Sequence, residues 1–236
     1  NALVYVNLFG NLAQYERLKE YCSKRSIPLI EDAAQSFGSH NNVAPSGKLG
    51  DISTLSFAPS KPLPCFGNGG MVLTDSEEEA NMVRSLRYHS VGSGKLQHGY
   101  NSCLSNDHAN MLNFLLSKYK GLLGKSEKVR QWYEHKLIDL GISSIQTMVG
   151  TKSNNHKLVI KVQDRDGLRK FLEQKGIQTQ IHYQQPMSKM KMFDTGQEMP
   201  NAEKFCMEVL SLPIHPFLKK TEVLYVCKCI GEYYGI

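Results

Sequence analysis

A carboxylate and an amine close two short apolar segments in the first third of this 236-residue chain. Asp32 ends the first, in Ile30-Glu31-Asp32-Ala33-Ala34-Gln35-Ser36-Phe37-Gly38. The second, Ser53-Thr54-Leu55-Ser56-Phe57, leads into Ala58-Pro59-Ser60-Lys61-Pro62, so a hydroxyl and an amine emerge close together. Ligands of open α/β sheets gather at the carboxyl ends of strands, which is where these groups stand if both segments are strands. Schiff-base chemistry requires a lysine that is partly desolvated, so that its amine gives up its proton readily. The small Ala33 and Ala34 leave room for a flat group, and Gly67-Asn68-Gly69-Gly70 lets the backbone pass close to a ligand. Each feature has an ordinary explanation by itself. A lysine after a strand is commonly a solvated surface lysine, an Asp before Ala-Ala a helix cap, Ser56 a sheet serine bonded to backbone, and a glycine run a turn. Their joint occurrence, in this order and at these spacings, is what points to a cofactor.

These residues need a sheet to hold them. Residues 3–8 form a β-rich apolar run that ends at the turn signal Phe9-Gly10-Asn11. Residues 12–25 have helical spacing, with Leu12, Tyr15, Leu18 and Cys22 on one stripe. Further strands are predicted over 27–30, 51–57 and 70–74, and Asp75-Ser76-Glu77-Glu78 reads as a helix start, its acids complementing the dipole. The order implies an α/β layer with a largely parallel sheet. Four short strands make a thin sheet, so residues 1–115 are expected to be the back part of a larger domain. A long helix is predicted over 106–140. Beyond it come an alternating strand at 157–162, a capped amphipathic helix at 164–175, a strand at 176–183, and helices at 201–210 and 221–234 around Leu212-Pro213-Ile214-His215-Pro216. Residues 116–236 are thus expected to hold the linking helix and a small C-terminal α/β domain.

Composition narrows the class. Hydrophobic residues make up 41% and charged residues 21%, ordinary globular usage. No apolar run approaches the roughly 18–20 residues that span a bilayer, and residues 1–6 lack the features of a secretory signal; a cytoplasmic location without membrane contact is expected. The six cysteines are scattered, and their spacing favours neither zinc nor a disulfide. Net charge is +6, with lysines spread out and no basic stripe interleaved with aromatics, so nucleic acid is not an expected partner. Mild positive charge suits small anionic substrates.

Three motifs in order, Asp32-Ala33-Ala34-Gln35, then Ser56-Phe57-Ala58-Pro59-Ser60-Lys61, then Gly67-Asn68-Gly69-Gly70-Met71-Val72, resemble the core signature of the sugar-nucleotide aminotransferases of DegT type. These are fold-type I enzymes dependent on pyridoxal 5′-phosphate (PLP). Pro-Ser-Lys-Pro-Leu-x-Cys-x-Gly-x-Gly-Gly is most similar to those acting on C3 of a UDP-linked 3-keto glucuronic acid derivative. His98-Gly99-Tyr100-Asn101-Ser102 resembles the family's loop to a neighbouring subunit; Ile181-His182-Tyr183 and Leu210-Ser211-Leu212-Pro213-Ile214-His215 resemble its small-domain motifs. The likeness runs nearly end to end.

The resemblance implies that Lys61 carries PLP and shuttles the proton between substrate and cofactor, and that Asp32 pairs with the pyridine nitrogen. It places Gln35 against the ring near its phenolic oxygen. It assigns Ser56 a hydrogen bond to the PLP phosphate, with Asn101 doing the same from the partner subunit of a homodimer, and His182 and Tyr183 to the sugar pocket. It implies glutamate as amino donor, a keto sugar nucleotide as acceptor, and a role in surface-polysaccharide or glycan synthesis. Two departures stand out. The family's large domain normally begins earlier, with a phosphate-binding helix N-terminus ahead of this region, and Cys103 occupies a position where members carry Arg. Both motivate the alternative of a truncated, non-catalytic homologue that binds a partner or nucleotide sugar.

Overall fold

The computed structural model describes residues 1–91, 98–193 and 196–236. The first elements are β1 (Leu3–Val6), α1 (Tyr15–Ser23), β2 (Leu29–Asp32), β3 (His40–Asn41), β4 (Ile52–Ser56), β5 (Gly70–Thr74), α2 (Glu77–Leu86) and α3 (Asn106–Asp139). They are followed by β6 (Ser143–Ser144), β7 (Thr151–Lys152), β8 (Leu158–Lys161), α4 (Arg165–Gln174), α5 (Pro200–Glu208), β9 (Val209–Leu212) and α6 (Lys220–Tyr234). The chain divides into two compact units: Asn1–Leu123 with Thr147–His156, and Gly124–Gln146 with Lys157–Ile236.

Unit 1 is organised by a four-stranded sheet in the order β1-β2-β4-β5. The first three strands are parallel, with Tyr5, Glu31 and Ser53 in register, and Val6, Asp32 and Thr54 one step further on. β5 runs antiparallel to β4 because the loop between them contains no crossover helix. It is closed by backbone bonds from Phe57 N to Gly69 O (2.7 Å) and from Cys65 N to Phe57 O (2.7 Å). Alternation along β2 sends Leu29 and Glu31 to one face, both fully buried, and Ile30 and Asp32 to the other. One apolar cluster, Tyr5, Leu12, Cys22, Leu29 and Leu49, packs the α1 side; a second joins Ala33, Leu55, Phe57, Leu63 and Cys65 to Leu112 and Tyr119 of α3. Ser76 caps α2 by accepting from Glu79 N, as the acid-rich start predicts.

The sequence places a single boundary after residue 115, whereas unit 1 continues to Leu123 and includes Thr147–His156. That segment is held by the antiparallel pairing of β7 with β3. It is also held by the Asn154 side chain, which donates to the carbonyls of Gln35 and Phe37 (both 2.9 Å).

Unit 2 has a three-stranded antiparallel sheet, β6-β8-β9, over a core of Leu158, Ile160, Leu168, Leu172, Leu210, Val223 and Ile230, all fully buried. Asp164 caps α4, accepting from Gly167 N. Two expectations are corrected here. Residues 176–183 do not form a strand; they contribute one isolated bridge, Gln180 to Ser211. Conversely, Val209–Leu212, read as the end of a helix and the start of a loop, is a strand buried at every position. A four-residue apolar run carries no periodicity that tells a buried strand from a helix end. β8 likewise buries Leu158, Val159 and Ile160 in succession rather than alternating, the pattern of a strand covered on both faces.

Candidate active site

The carboxyl edge of the parallel strands brings together most of the groups that the sequence singles out. Asp32 is the last residue of β2, and both neighbours hold its backbone: Asn7 N donates to Asp32 O (3.1 Å), and Ala33 N to Thr54 O (2.9 Å). Its carboxylate oxygen Oδ1 accepts from Ala34 N (2.9 Å), which turns the chain out of the sheet. The other oxygen has no hydrogen-bond partner among the described residues. Ser56 ends the adjacent strand β4, two residues beyond Thr54, the register partner of Asp32. The tight turn that follows is closed by Lys61 N donating to Ala58 O (2.9 Å). Lys61 is half-buried, and its ammonium has neither ion pair nor hydrogen bond among the described residues. Carboxylate and hydroxyl therefore end two hydrogen-bonded strands at the same edge, and Lys61 follows in the turn beyond the second.

Gln35 is buried behind Asp32, and its Oε1 accepts from Phe9 N (2.8 Å). That bond ties the turn after β2 to the turn after β1, where Phe9 (φ 64°) and Gly10 (φ 92°) are both left-handed. At Gly10 a Cβ would collide with the Asn154 side chain, so this close approach requires glycine. Ala33 faces the apolar core, and only Ala34 is left to flank a flat ligand. In the glycine run, a Cβ on Gly69 would meet Leu104 at 2.9 Å and one on Gly70 would meet Leu55 O at 2.8 Å. The glycines there let protein approach protein.

Asn101 is exposed, in a segment laid against the end of α2. Tyr100 N donates to Leu86 O (2.7 Å), Ser102 N to Arg87 O (3.0 Å), and Asn101 bridges Tyr88. Cys103 is also exposed, its thiol 3.8 Å from Arg87 O. A cavity of about 880 Å³ in unit 1 is lined by Val72, Leu73, Arg84, Arg87 and Leu104 among others, and by none of Asp32, Gln35, Ser56, Lys61 or Asn101. His182 and Tyr183 belong to unit 2 and are joined by a cis peptide bond. His182 Nδ1 lies 2.8 Å from the buried Ser211 hydroxyl, and its ring lines a cavity of about 710 Å³ with Lys157, Gln180 and His215. Tyr183 is exposed.

The sequence reading missed Glu31, Asn7 and Asn154. Glu31 is fully buried, and its carboxylate accepts from Asn7 Nδ2, Ser46 Oγ and Ser53 Oγ (each 2.7 Å), from Leu49 N (3.0 Å) and from Gly47 N (3.0 and 3.1 Å to the two oxygens). Burial and the neighbouring Glu31 charge push the Tyr5 phenol well above the ordinary tyrosine range. A signal was present in strand parity: Glu31 occupies the same face as Leu29, where an apolar residue is the rule.

A mainly parallel sheet with an amine and a carboxylate at its carboxyl edge has the layout of the PLP-dependent transferases. A family model described as the DegT/DnrJ/EryC1/StrS aminotransferase family matches residues 1–231. The chain is 31% identical, over 97% of its length, to a UDP-2-acetamido-2-deoxy-3-oxo-D-glucuronate aminotransferase of Pseudomonas aeruginosa, covering 65% of that protein. It is 32% identical to a dTDP-3-amino-3,4,6-trideoxy-alpha-D-glucose transaminase of Streptomyces venezuelae, covering 98% of this chain and 63% of that one. The crystal structure of a DegT DnrJ EryC1 StrS aminotransferase from Brucella abortus superposes with a TM-score of 0.94 at 28% identity, over all of this chain and 65% of the other. The chain belongs to the DegT/DnrJ/EryC1/StrS aminotransferase family and spans about 65% of the length of these relatives. Aminotransferases of this family use PLP. The residues present fit that group: the open Lys61 amine, the open Asp32 oxygen and the Ser56 hydroxyl match an aldehyde, a pyridinium and a phosphate in chemical type.

Proposed function

We propose that the intact protein transfers an amino group from glutamate to a keto sugar nucleotide, a UDP-linked 3-keto sugar, for surface-polysaccharide or glycan synthesis in the cytoplasm. When bound, PLP supplies an electron sink that makes a proton beside nitrogen removable. Lys61 holds the cofactor and afterwards moves that proton on and off the substrate carbon. Asp32 keeps a proton on the ring nitrogen, its orientation set by the Ala34 amide. Ser56 donates to the phosphate from the end of β4, and Gln35 fixes the turn beside the ring. Asn101 serves the site of a second copy, so the working form is a homodimer, and the exposed segment that carries it is available for that contact. His182 and Tyr183 take the sugar.

The observation that carries this reading is the pairing of β2 with β4. It sets Asp32, the end of β2, beside the strand that closes at Ser56, with Lys61 in the turn that follows, which supports a shared site at that sheet edge. The two sugar-nucleotide relatives support the acceptor class and differ in nucleotide. The test supplies the intact protein with glutamate, PLP and a panel of UDP-, dTDP- and GDP-linked 3-keto sugars, and detects amino sugar by mass spectrometry. Amino sugar should form from the UDP substrate and vanish in Lys61→Ala, a loss of about 10³-fold or more for a group that is both nucleophile and proton carrier. Equal product from wild type and Lys61→Ala would overturn the assignment.

A further inference from the structure

Glu31 lies one residue before Asp32 but on the opposite face of the sheet, away from any ligand at the Asp32 side. Its carboxylate makes no ion pair among the described residues, yet it is fully buried; five donors compensate its charge. The identity of those donors is informative. Ser53 is the register partner of Glu31 on β4, and Asn7 follows directly after β1, whose Tyr5 is its register partner on the other side. Gly47 and Leu49 belong to the loop that leads into β4. One carboxylate thus fastens β2 to β4, to the residue that follows β1, and to the loop that leads into β4.

The ties continue to the site. Asn7, held by Glu31, accepts from Ala13 N (2.9 Å) and so closes the turn containing Phe9, whose N–H donates to Gln35. Ser46, held by Glu31, lies 2.6 Å from Ser36 Oγ, the residue after Gln35. The segment from Asp32 to Ser36 is therefore anchored at both ends through Glu31. A one-residue slip of β2 would exchange the two faces and carry Asp32 away from the ligand edge. Such a slip leaves a buried carboxylate without its donors, which a protein interior does not tolerate.

We infer that Glu31 is the positioning residue of the cofactor site, fixing the register and turn that aim Asp32 and Gln35 without itself touching the ligand. This rests on the PLP reading above. Glu31→Gln keeps the shape, but in either orientation of its amide the NH2 group meets the Gly47 N–H, which cannot accept. Leu29→Ala is the matched control, because Leu29 is equally buried on the same strand and face but bonds to nothing in the network through its side chain. In the intact protein, PLP affinity, the absorbance maximum of bound PLP and its induced circular dichroism are measured beside thermal unfolding. Glu31→Gln should weaken PLP binding by about tenfold or more and alter the band and dichroism, whereas Leu29→Ala should lower the melting temperature with the bound-PLP signature unchanged. Ser53→Ala, which removes a single donor, should shift the signature in the same direction by less, and it carries the test if Glu31→Gln does not fold. If wild type binds PLP and both Glu31→Gln and Ser53→Ala bind it with unchanged affinity and spectrum, the positioning role is wrong and the PLP reading stands. If wild type binds no PLP, both fall.

Discussion

The two units bury polar and apolar groups in different proportion. Unit 1 buries Asn7, Glu31, Gln35, Ser36, Ser39, Ser46, Ser53 and Asn154, most of them hydrogen-bonded to one another or to turn backbone. Unit 2 buries fewer polar residues among those described, Ser126, Arg130, Arg165 and Ser211, around an apolar core in which Leu158, Ile160, Leu168, Leu172, Leu210 and Ile230 are each sealed from solvent. Hydrophobic contact is non-directional and supplies stability, whereas hydrogen bonds fix angle and register. A sheet edge that must aim a carboxylate and an amine at one small ring needs the second kind of constraint. The difference teaches that stability and aim are separable here, and substitutions should separate them.

Among substitutions that separate the two, the largest expected effect falls on the chemistry of the sheet edge. Asp32→Asn in the intact protein keeps the shape but removes the charge that would hold a proton on the ring nitrogen. Amino transfer should fall by about 10²-fold or more, with melting temperature nearly unchanged; steady-state kinetics beside a thermal scan checks both. A smaller effect, of the opposite kind, is expected in unit 2. Leu168→Ala removes a fully buried side chain and should cost about 2–5 kcal/mol in urea unfolding, while PLP affinity holds at temperatures where the protein is folded. If Leu168→Ala loosened PLP as strongly as Glu31→Gln, the separation would be wrong.

The smallest effect concerns the closing of unit 2 by its last helix. The Tyr233 hydroxyl donates to Asp164 at 2.5 Å, and Asp164 also caps α4. The hydrogen bond from Tyr233, and then that from Gly167 N, lower the Asp164 pKa below its ordinary value; the same bond to Asp164, with burial, raises Tyr233 to about 12. A depressed carboxylate contributes stability above its unfolded pKa and loses it as pH falls through the folded value. A raised tyrosine contributes below its unfolded pKa, about 10, and loses it as pH rises through about 12. The contribution should be flat between about pH 4 and pH 10 and fade on both sides. Tyr233→Phe should lower stability across that window and flatten both limbs, read from urea midpoints against pH.

Local signals were legible wherever the chain punctuates itself. Gly70 and Thr74-Asp75 bracket β5, Ser76 and Asp164 announce α2 and α4 through their capping oxygens, and the stripe of Leu12, Tyr15, Leu18 and Cys22 marks α1. The placement of Asp32 and Ser56 at strand ends, with Lys61 in the turn beyond, follows from the same short-range signals. Legibility failed where tertiary packing decides. Residues 209–212 became a strand because β8 was available to pair, and 176–183 stayed irregular with one bridge to Ser211. The return of Thr147–His156 to unit 1 depends on Asn154 reaching Gln35 and Phe37 more than a hundred residues away, which no local pattern encodes. Glu31 was hidden for the same reason, since its donors come from three separate places in the chain, Asn7, the 46–49 loop and Ser53.

The most direct test of the account is to trap the cofactor. The intact protein is loaded with PLP and treated with borohydride, which fixes lysine-bound PLP irreversibly, then digested and mapped by mass spectrometry. The pyridoxyl mass should lie on the peptide containing Ser60-Lys61-Pro62 and on no other. Label on a different lysine, or none on a protein shown to be folded, would contradict the assignment of Lys61 and the site built around it.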